Sequence, residues 1–177
     1  MVTRDAIFDV LKTIDDPEMP ITIVDLGIVE DVRIDETSTP AAVEIDILPT
    51  FVGCPALPVI EETIQKKVGA LNGVGAIRVH FKFDPPWSVD RISAEGRASL
   101  KEYGLTVPHR MVAAEPEDEP EVPACPFCGS AQVRLESPFG PTRCRMIYYC
   151  EACRNPFEHL KRVSLSPLAI QEQPSKR

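Results

Sequence analysis

Four cysteines near the C-terminus have the clearest potential for chemistry. They form two C-x-x-C pairs, Cys125/Cys128 and Cys150/Cys153, with 21 residues between the pairs. Paired thiols on tight turns are typical of tetrahedral metal sites in small ribbons, so this spacing predicts that all four sulfurs bind one metal ion. The surrounding segment has few apolar residues, so we expect structural zinc to supply much of its folding free energy.

Two alternatives use the same four cysteines. Two disulfides would also join them, but the start of the chain has no basic segment leading into an apolar run, as a secretory signal peptide would. Four thiolates also suit a single iron ion in a rubredoxin-like site, which would make the protein an electron carrier. We favour zinc because the acidic linker and the length between the pairs, which slightly exceeds the usual spacing of about 15–20 residues, indicate a structural ribbon.

Cys54 is a second candidate for thiol chemistry. It precedes Pro55, a residue suited to the first turn of a helix. Unpaired backbone N–H groups and the helix dipole at that position would favour the thiolate. Such a thiolate would bind a metal or act as a nucleophile, and the alternative is a small buried residue packed at a helix start.

Polar and conformationally restricted residues gather in three loops, at 16–27, 49–55 and 84–87. Asp25 in the first loop would bind a metal or, as the Asp25-Leu26-Gly27 sequence favours, form a turn that orders its own backbone. Thr50 lies in the second loop. Trp87, which follows two prolines in the third, is expected to pack in the core. Functional side chains are often found on loops that a rigid scaffold positions.

Hydrophobic periodicity predicts the elements that position these loops. Thr3 can cap a first helix whose apolar residues follow i, i+3 and i+4 spacing. Alternating patterns predict strands over 28–34, 41–48 and 75–83, the first two paired through a turn at 35–40. Further helices are predicted after Cys54 and over 93–103. The order α-β-β-α-β-α predicts a small α+β domain with helices on a three-stranded sheet, followed by a zinc-ribbon domain.

Composition and charge divide the chain. We predict a first domain at 1–112, an acidic proline-rich linker at 113–124, the ribbon at 125–163 and a disordered tail at 164–177. Residues 1–121 hold 11 Lys and Arg against 23 Asp and Glu, and residues 122–177 hold 8 against 4. The acidity of the main domain argues against nucleic acid as its ligand. The basic residues of the ribbon, among them Arg145, are expected to be ordinary surface charges.

The compartment and the class of protein follow from what the sequence lacks. No stretch approaches the roughly 18 apolar residues of a membrane span, so we expect a soluble protein in the reducing cytoplasm. The sequence contains neither a complete dinucleotide fingerprint nor a phosphate-binding loop. An accessory protein is therefore predicted rather than an enzyme.

Several motifs carry a family resemblance. They are Asp16-Pro17-Glu18, Asp25-Leu26-Gly27, Thr50-x-x-x-Cys54-Pro55 and Pro85-Pro86-Trp87. Together they resemble the small iron–sulfur-assembly domain of SufT-like proteins. With the C-terminal four-cysteine ribbon added, the chain resembles the PaaD-like accessory proteins of bacterial phenylacetyl-CoA ring-epoxidase systems, which serve phenylacetate degradation.

The resemblance implies a role and partners. It implies support of a multicomponent phenylacetyl-CoA 1,2-epoxidase, with its di-iron oxygenase and its iron–sulfur flavin reductase as partners. The chain would assist assembly of iron or iron–sulfur centres in one of these components, or serve as a non-catalytic scaffold in the complex. The functional thiol implied is Cys54, flanked by Asp25 and Thr50. PaaD-like ribbons also include a fifth cysteine, here Cys144, which would either replace a ligand in the ribbon or, as we favour, simply pack.

A single thiolate is a poor site for a transiently held iron–sulfur cluster. A cluster held by Cys54 would need further ligands. These would come from a second copy of the chain in a homodimer, from a client protein, or from Cys144 reaching across the linker.

Overall fold

The computed structural model describes residues 2–109 and 122–162. The first region contains α1 (Arg4–Leu11), β1 (Val29–Asp35), β2 (Ala41–Ile47), α2 (Leu57–Gly69), β3 (Val74–Phe81), a short 3-10 helix (Val89–Arg91), α3 (Ala94–Glu102) and β4 (Leu105–Thr106). The second contains β5 (Val133–Ser137), β6 (Arg145–Cys150) and β7 (Pro156–Leu160). The predicted α-β-β-α-β-α order is confirmed. Most of the predicted linker and the whole of the tail at 164–177 lie outside the described residues.

The first sheet has the strand order β1-β2-β3. β1 and β2 are antiparallel, as the predicted turn between them requires, and β2 and β3 are parallel, with α2 as the crossover. Alternate residues of the strands point to one buried face, where α1 and α2 cover them. The fully buried members of this core include Ile7, Leu11, Val43, Ile45, Ile47, Ile64 and Val68. At its start, α1 is capped by the Thr3 side chain, which accepts from the Ala6 N–H, as predicted.

The opposite face of this sheet carries charges that pair across the strands. Asp46 of β2 is buried, and both its carboxylate oxygens accept hydrogen bonds from Arg33 at 2.6 and 2.8 Å. Lys82 forms a further ion pair with Asp46. Arg33, followed by Lys82, holds the pKa of Asp46 well below its usual range. This cluster ties the three strands together on the side away from the helices.

The second sheet joins the two regions. Its strand order is β4-β7-β6-β5, so a strand of the first region forms one edge of the ribbon's sheet. β4 runs parallel to β7, with Leu105 opposite Glu158. The ribbon strand β7 also contributes Leu160 to the core of the first region. The two regions therefore share a sheet and part of a hydrophobic core, although the sequence pattern presents them as separate units.

Candidate metal centre and thiol site

Two tight turns bring the four ribbon cysteines together. In the first turn, Gly129 has a φ of 73° and donates its N–H to the Cys125 carbonyl at 2.9 Å. In the second, Arg154 takes the left-handed conformation at a φ of 59° and donates to the Cys150 carbonyl at 2.9 Å. These turns direct both sulfurs of each pair toward the other pair. The strands β5 and β6 fix the distance between the turns.

The four sulfurs have the geometry of a tetrahedral thiolate centre. Their Sγ atoms all lie within 4.8 Å of one another. Cys125 and Cys153 are 3.6 Å apart, as are Cys128 and Cys150. A tetrahedron with metal–sulfur bonds of about 2.3 Å has edges of about 3.8 Å, so the donor set fits a metal of zinc's size. These separations far exceed a disulfide bond of about 2.05 Å, so the disulfide alternative does not describe this structure.

Hydrogen bonds from Asn155 favour the thiolate of one member of the centre, Cys153. Asn155 directs its side-chain amide at the Cys153 sulfur, 3.5 Å away. This contact, with the Asn155 backbone N–H, lowers the pKa of the Cys153 thiol to about 6. The rest of the local core is small: Cys125, Cys150 and the stacked rings of Tyr148 and Phe157, whose centroids are 5.8 Å apart. Such a core is too small to stabilise the ribbon alone, as the sequence predicts.

Cys54 lies just before α2, half-buried at the edge of the first region's core. The helix begins at Leu57 rather than at Pro55, with Ala56 as its N-cap. The prediction that this position favours the thiolate is wrong. Burial raises the pKa of the Cys54 thiol and outweighs the hydrogen bond from the Ala56 N–H. Negative charge on neighbouring groups, Asp16 foremost, raises it further.

Cys144 lies apart from the ribbon's four-sulfur centre. It is 5% exposed and belongs to the same hydrophobic core as the first region's helices. The Thr142 hydroxyl is 3.0 Å from its sulfur, and its carbonyl accepts from the Lys161 N–H at 2.8 Å. Burial raises the pKa of the Cys144 thiol. The structure thus places Cys144 in the first region's core and outside the four-sulfur centre.

Arg145 follows Cys144 in the chain and lies at the junction of the two regions. The expectation that it is a surface charge is wrong, because it is 4% exposed. Its guanidinium donates to Glu158 at 2.6 Å and to the Thr142 hydroxyl at 2.8 Å. It also lies 3.6 Å from Glu18 in the first region. Packing between β6 and the loop after α1 causes this burial, and the ribbon's own sequence gives no sign of it.

Asp25 is held by contacts within its own loop and with the start of α3. One carboxylate oxygen accepts from the Thr22 hydroxyl at 2.9 Å and the other from the Ser93 hydroxyl at 2.8 Å. Its carbonyl accepts from the Ser93 N–H at 2.9 Å. Gly27 completes the turn at a φ of 72°, and an added Cβ would lie 2.5 Å from the Arg91 carbonyl oxygen. Asp25 therefore orders the loop and anchors it to α3.

The three loops singled out in the sequence meet. Trp87 is buried, and its indole N–H donates to the Leu26 carbonyl at 3.0 Å, which joins the third loop to the first. Thr50 is buried beside Trp87 along a cavity of about 150 Å³. The remaining lining residues are Pro49, Phe51, Val52, Phe83 and Pro86. The cavity is thus formed by residues of the second and third loops together with Phe83, which directly precedes the third loop.

None of the helices within residues 2–109 and 122–162 is long and apolar enough to cross a membrane.

Two protein-family models match the chain. One, described as "Iron-sulfur cluster assembly protein", matches residues 4–80. The other, described as "PaaD zinc beta ribbon domain", matches residues 110–161. The two matches fall on the α+β region with Cys54 and on the region with the four-thiol centre.

Two named proteins and a solved structure are similar to this chain. A protein of Escherichia coli (strain K12), named as a putative component of 1,2-phenylacetyl-CoA epoxidase, is 37% identical over 158 residues, covering 88% of this chain and 90% of that protein. The "Fe-S protein maturation auxiliary factor YitW" of Bacillus subtilis (strain 168) is 33% identical over 97 residues, covering 55% and 92%. A solved structure of a conserved hypothetical protein from Thermotoga maritima has a TM-score of 0.48 and 30% identity, covering 58% and 95%.

Proposed function

Since this chain belongs to the family of PaaD-type proteins, which join an iron–sulfur cluster assembly domain to a zinc beta ribbon, we propose that it is an accessory factor in the maturation of iron-containing proteins. The observation that carries the proposal is the presence of two kinds of thiol in one chain. Four sulfurs form a closed tetrahedral centre, while Cys54 lies outside it, half-buried and uncommitted to that centre. No catalytic reaction of its own is proposed.

The proposed clients are the components of a phenylacetyl-CoA epoxidase, namely its di-iron oxygenase and its iron–sulfur flavin reductase. The similarity that supports this choice is to the Escherichia coli protein named as a putative component of such an epoxidase, because it extends over 88% of the chain. The cytoplasm is the proposed setting, since a reducing compartment would keep the six free thiols available.

We assign zinc to the four-cysteine centre, where Cys125, Cys128, Cys150 and Cys153 would hold it. When bound, zinc would fix the two turns and supply folding free energy without redox chemistry. We assign Cys54 as the residue that would hold iron or an iron–sulfur unit before its transfer to a client protein. Asp25 and Thr50 would fix the conformation of their loops, because Asp25 anchors the first loop and Thr50 packs beside Trp87.

An electron-carrier role is the second candidate, because the 3.6 Å sulfur separations would suit iron as well as zinc. Iron bound by four thiolates absorbs visible light and zinc does not. A colourless protein with one zinc per chain would remove this candidate, whereas a coloured one with one iron per chain would support it.

The maturation role is tested by counting iron in the clients. The oxygenase and the reductase would each be produced with their partners, with and without this chain, and purified under identical conditions. Loss of iron from one component in the absence of this chain would support maturation and identify the client. Full iron in both components, with epoxidase activity still dependent on the chain, would instead indicate a scaffold role.

A further inference from the structure

The helix α3 connects the ribbon to the loop at 16–27. We propose that, through this helix, the four-sulfur centre controls how tightly the loop that carries Asp25 is held, so that the chain acts on iron only while its ribbon is loaded with metal. The inference deepens the proposed function and rests on it only in treating Asp25 as part of the functional site. The contacts that carry the coupling do not depend on that assignment.

On one side, α3 holds the loop at three places. Ser93, the N-cap of the helix, donates its hydroxyl to the Asp25 carboxylate at 2.8 Å and its N–H to the Asp25 carbonyl at 2.9 Å. The Ser99 hydroxyl donates to the Pro20 carbonyl at 2.8 Å. Between these residues, the backbone of Gly96 packs closely on the loop, and an added Cβ would lie 3.1 Å from the Asp25 carbonyl oxygen. A shift of α3 would therefore disturb the loop.

On the other side, the ribbon packs against the C-terminal end of α3. Gly104 joins α3 to β4, which pairs with β7 of the ribbon. The Glu158 N–H donates to the Gly104 carbonyl, and the Thr106 hydroxyl donates to the Glu158 carbonyl, both at 3.2 Å. The ring of Phe127 lies against Gly104, where an added Cβ would be 2.7 Å from it. Because Phe127 stands between two ligands of the metal centre, its position depends on that centre.

Two arginines of the ribbon add contacts at other points. Arg162, which follows β7, lies 3.3 Å from the carboxylate of Asp90, just before α3, and also donates to the His109 carbonyl. The buried Arg145 lies 3.6 Å from Glu18 in the loop itself. The ribbon thus contacts the segments on both sides of α3 as well as the loop. We expect strand pairing and the buried Arg145 to contribute most, because exposed ion pairs contribute little.

The docked state of the ribbon depends on its metal. The buried residues of its own core, within the described part of the chain, are Cys125, Cys150, Tyr148 and Phe157. Two of these four are metal ligands, so removal of the metal leaves too small a core to hold β6 and β7 in place. A ribbon that opens withdraws its contacts from both ends of α3, and the free energy of opening the loop falls. By linkage, a well-held loop also stabilises the metal-loaded ribbon.

The loop contains reporters of its own opening. The N–H groups of Ile23 and Leu26 donate to the Ile14 and Thr22 carbonyls at 2.8 Å, so their hydrogen exchange requires the loop to open. Trp87 is the single tryptophan of the chain, and its indole N–H donates to the Leu26 carbonyl at 3.0 Å. Its fluorescence emission therefore reports the same region.

The test is amide hydrogen exchange of the full chain, measured by mass spectrometry with the ribbon loaded with zinc and again after removal of the metal with EDTA. We expect amides within 16–27 to exchange at least about tenfold faster without metal, while those of β2 and β3 change little, and we expect the Trp87 emission to shift to longer wavelength. Cys150→Ala, which removes one ligand, should reproduce these changes without a chelator.

A second pair of variants tests the route through α3 with the metal in place. Phe127→Ala removes the contact with Gly104 but keeps all four cysteines, so it should retain one zinc per chain and speed exchange within 16–27 about threefold. Phe139→Ala is the matched control, because this ring also lies in the ribbon, is 69% exposed and contacts Lys161. It should leave exchange in the loop unchanged.

Unchanged exchange within 16–27, in a chain whose β6 amides show that the ribbon has opened, would overturn the proposal. Equal acceleration in the loop, β2 and β3 would also overturn it, since the metal would then stabilise the whole first region without selecting the loop. Equal loop exchange in zinc-loaded Phe127→Ala and Phe139→Ala would contradict the route through Gly104. Because no client is present, these failures are distinct from a failure of the maturation role, which client iron content reports.

Discussion

Arg145 of β6 and Glu18 of the loop after α1 lie 3.6 Å apart and join the ribbon to the first region. Arg145 is buried at this point, while Glu18 is partly exposed. With Glu158 as its second carboxylate partner, Arg145 links β6, β7 and the loop that carries Asp16. Through its hydrogen bond to Thr142, whose hydroxyl lies 3.0 Å from the Cys144 sulfur, Arg145 also holds the segment that carries Cys144.

Replacing Arg145 should therefore loosen the junction. Arg145→Met removes hydrogen bonds to Glu158 and Thr142 and should lower the free energy of unfolding by about 1–3 kcal/mol. It should also speed amide hydrogen exchange in β4 and β7. The control is Arg134→Met, whose partners Glu136 and Glu151 are exposed, and which should leave the melting temperature nearly unchanged. Equal effects of the two substitutions would contradict the role given to Arg145.

The reactivity of Cys54 should reflect its environment. Because burial and the nearby carboxylates raise its pKa, iodoacetamide should label it more slowly than free cysteine at pH 7. The rate should keep rising above about pH 8.5, the ordinary pKa of a cysteine thiol. Asp16→Asn keeps a hydrogen-bond acceptor but removes the charge, so it should accelerate labelling at neutral pH. Mass spectrometry of the zinc-loaded chain measures the labelling rate of Cys54. A rate that stops rising below about pH 8 would contradict a raised pKa for this thiol.

Asp46 should make stability depend on acid pH. Arg33 and Lys82 lower its pKa in the folded state, so its contribution is present above the unfolded value of about 3.9 and is lost as pH falls further. Asp46→Asn should cost about 1–3 kcal/mol at pH 7, a limited amount because both partners remain partly exposed. Urea unfolding of wild type and Asp46→Asn from pH 7 to pH 2 measures the free energy of unfolding of each. The difference from wild type should shrink below about pH 4, and the same series on the partly exposed Asp31→Asn should show a smaller effect.

Ribbon metal should depend on Cys150 and not on Cys144. Cys150→Ala removes one of the four clustered sulfurs and should abolish stoichiometric zinc, whereas Cys144→Ala should retain one zinc per chain. Treatment of the wild-type chain with a strong chelator should unfold the ribbon, seen as loss of the tyrosine signal in near-ultraviolet circular dichroism. Equal loss of zinc from both variants would show that the four-ligand assignment is incomplete.

Local patterns predicted the parts of this molecule that depend on local interactions. The alternation in the strands and the spacing of apolar residues in α1 and α2 predicted their positions, because each element must bury one face. The paired C-x-x-C turns predicted the approach of four sulfurs, because each turn is short and the strands between them form a hairpin.

Features that depend on distant packing were not predictable. β4 has two residues and forms only because β7 lies beside it, so no periodicity marks it. The burial of Arg145 and of Cys144 likewise follows from the docking of the ribbon on the first region. The start of α2 also differs from the prediction: the helix begins at Leu57, with Pro58 in its first turn, which leaves Cys54 outside the helix with one N–H donor, from Ala56.

The most direct test of the central claim is the iron content of the epoxidase reductase and oxygenase in cells that produce either wild-type chain or Cys54→Ser. Glu62→Gln, an exposed substitution on α2, is the control for expression and folding. We predict that Cys54→Ser lowers the iron per molecule of one component to the level found without this chain, while Glu62→Gln maintains the wild-type level. Full iron in both components with Cys54→Ser present at wild-type abundance would contradict the claim that this thiol performs the maturation step.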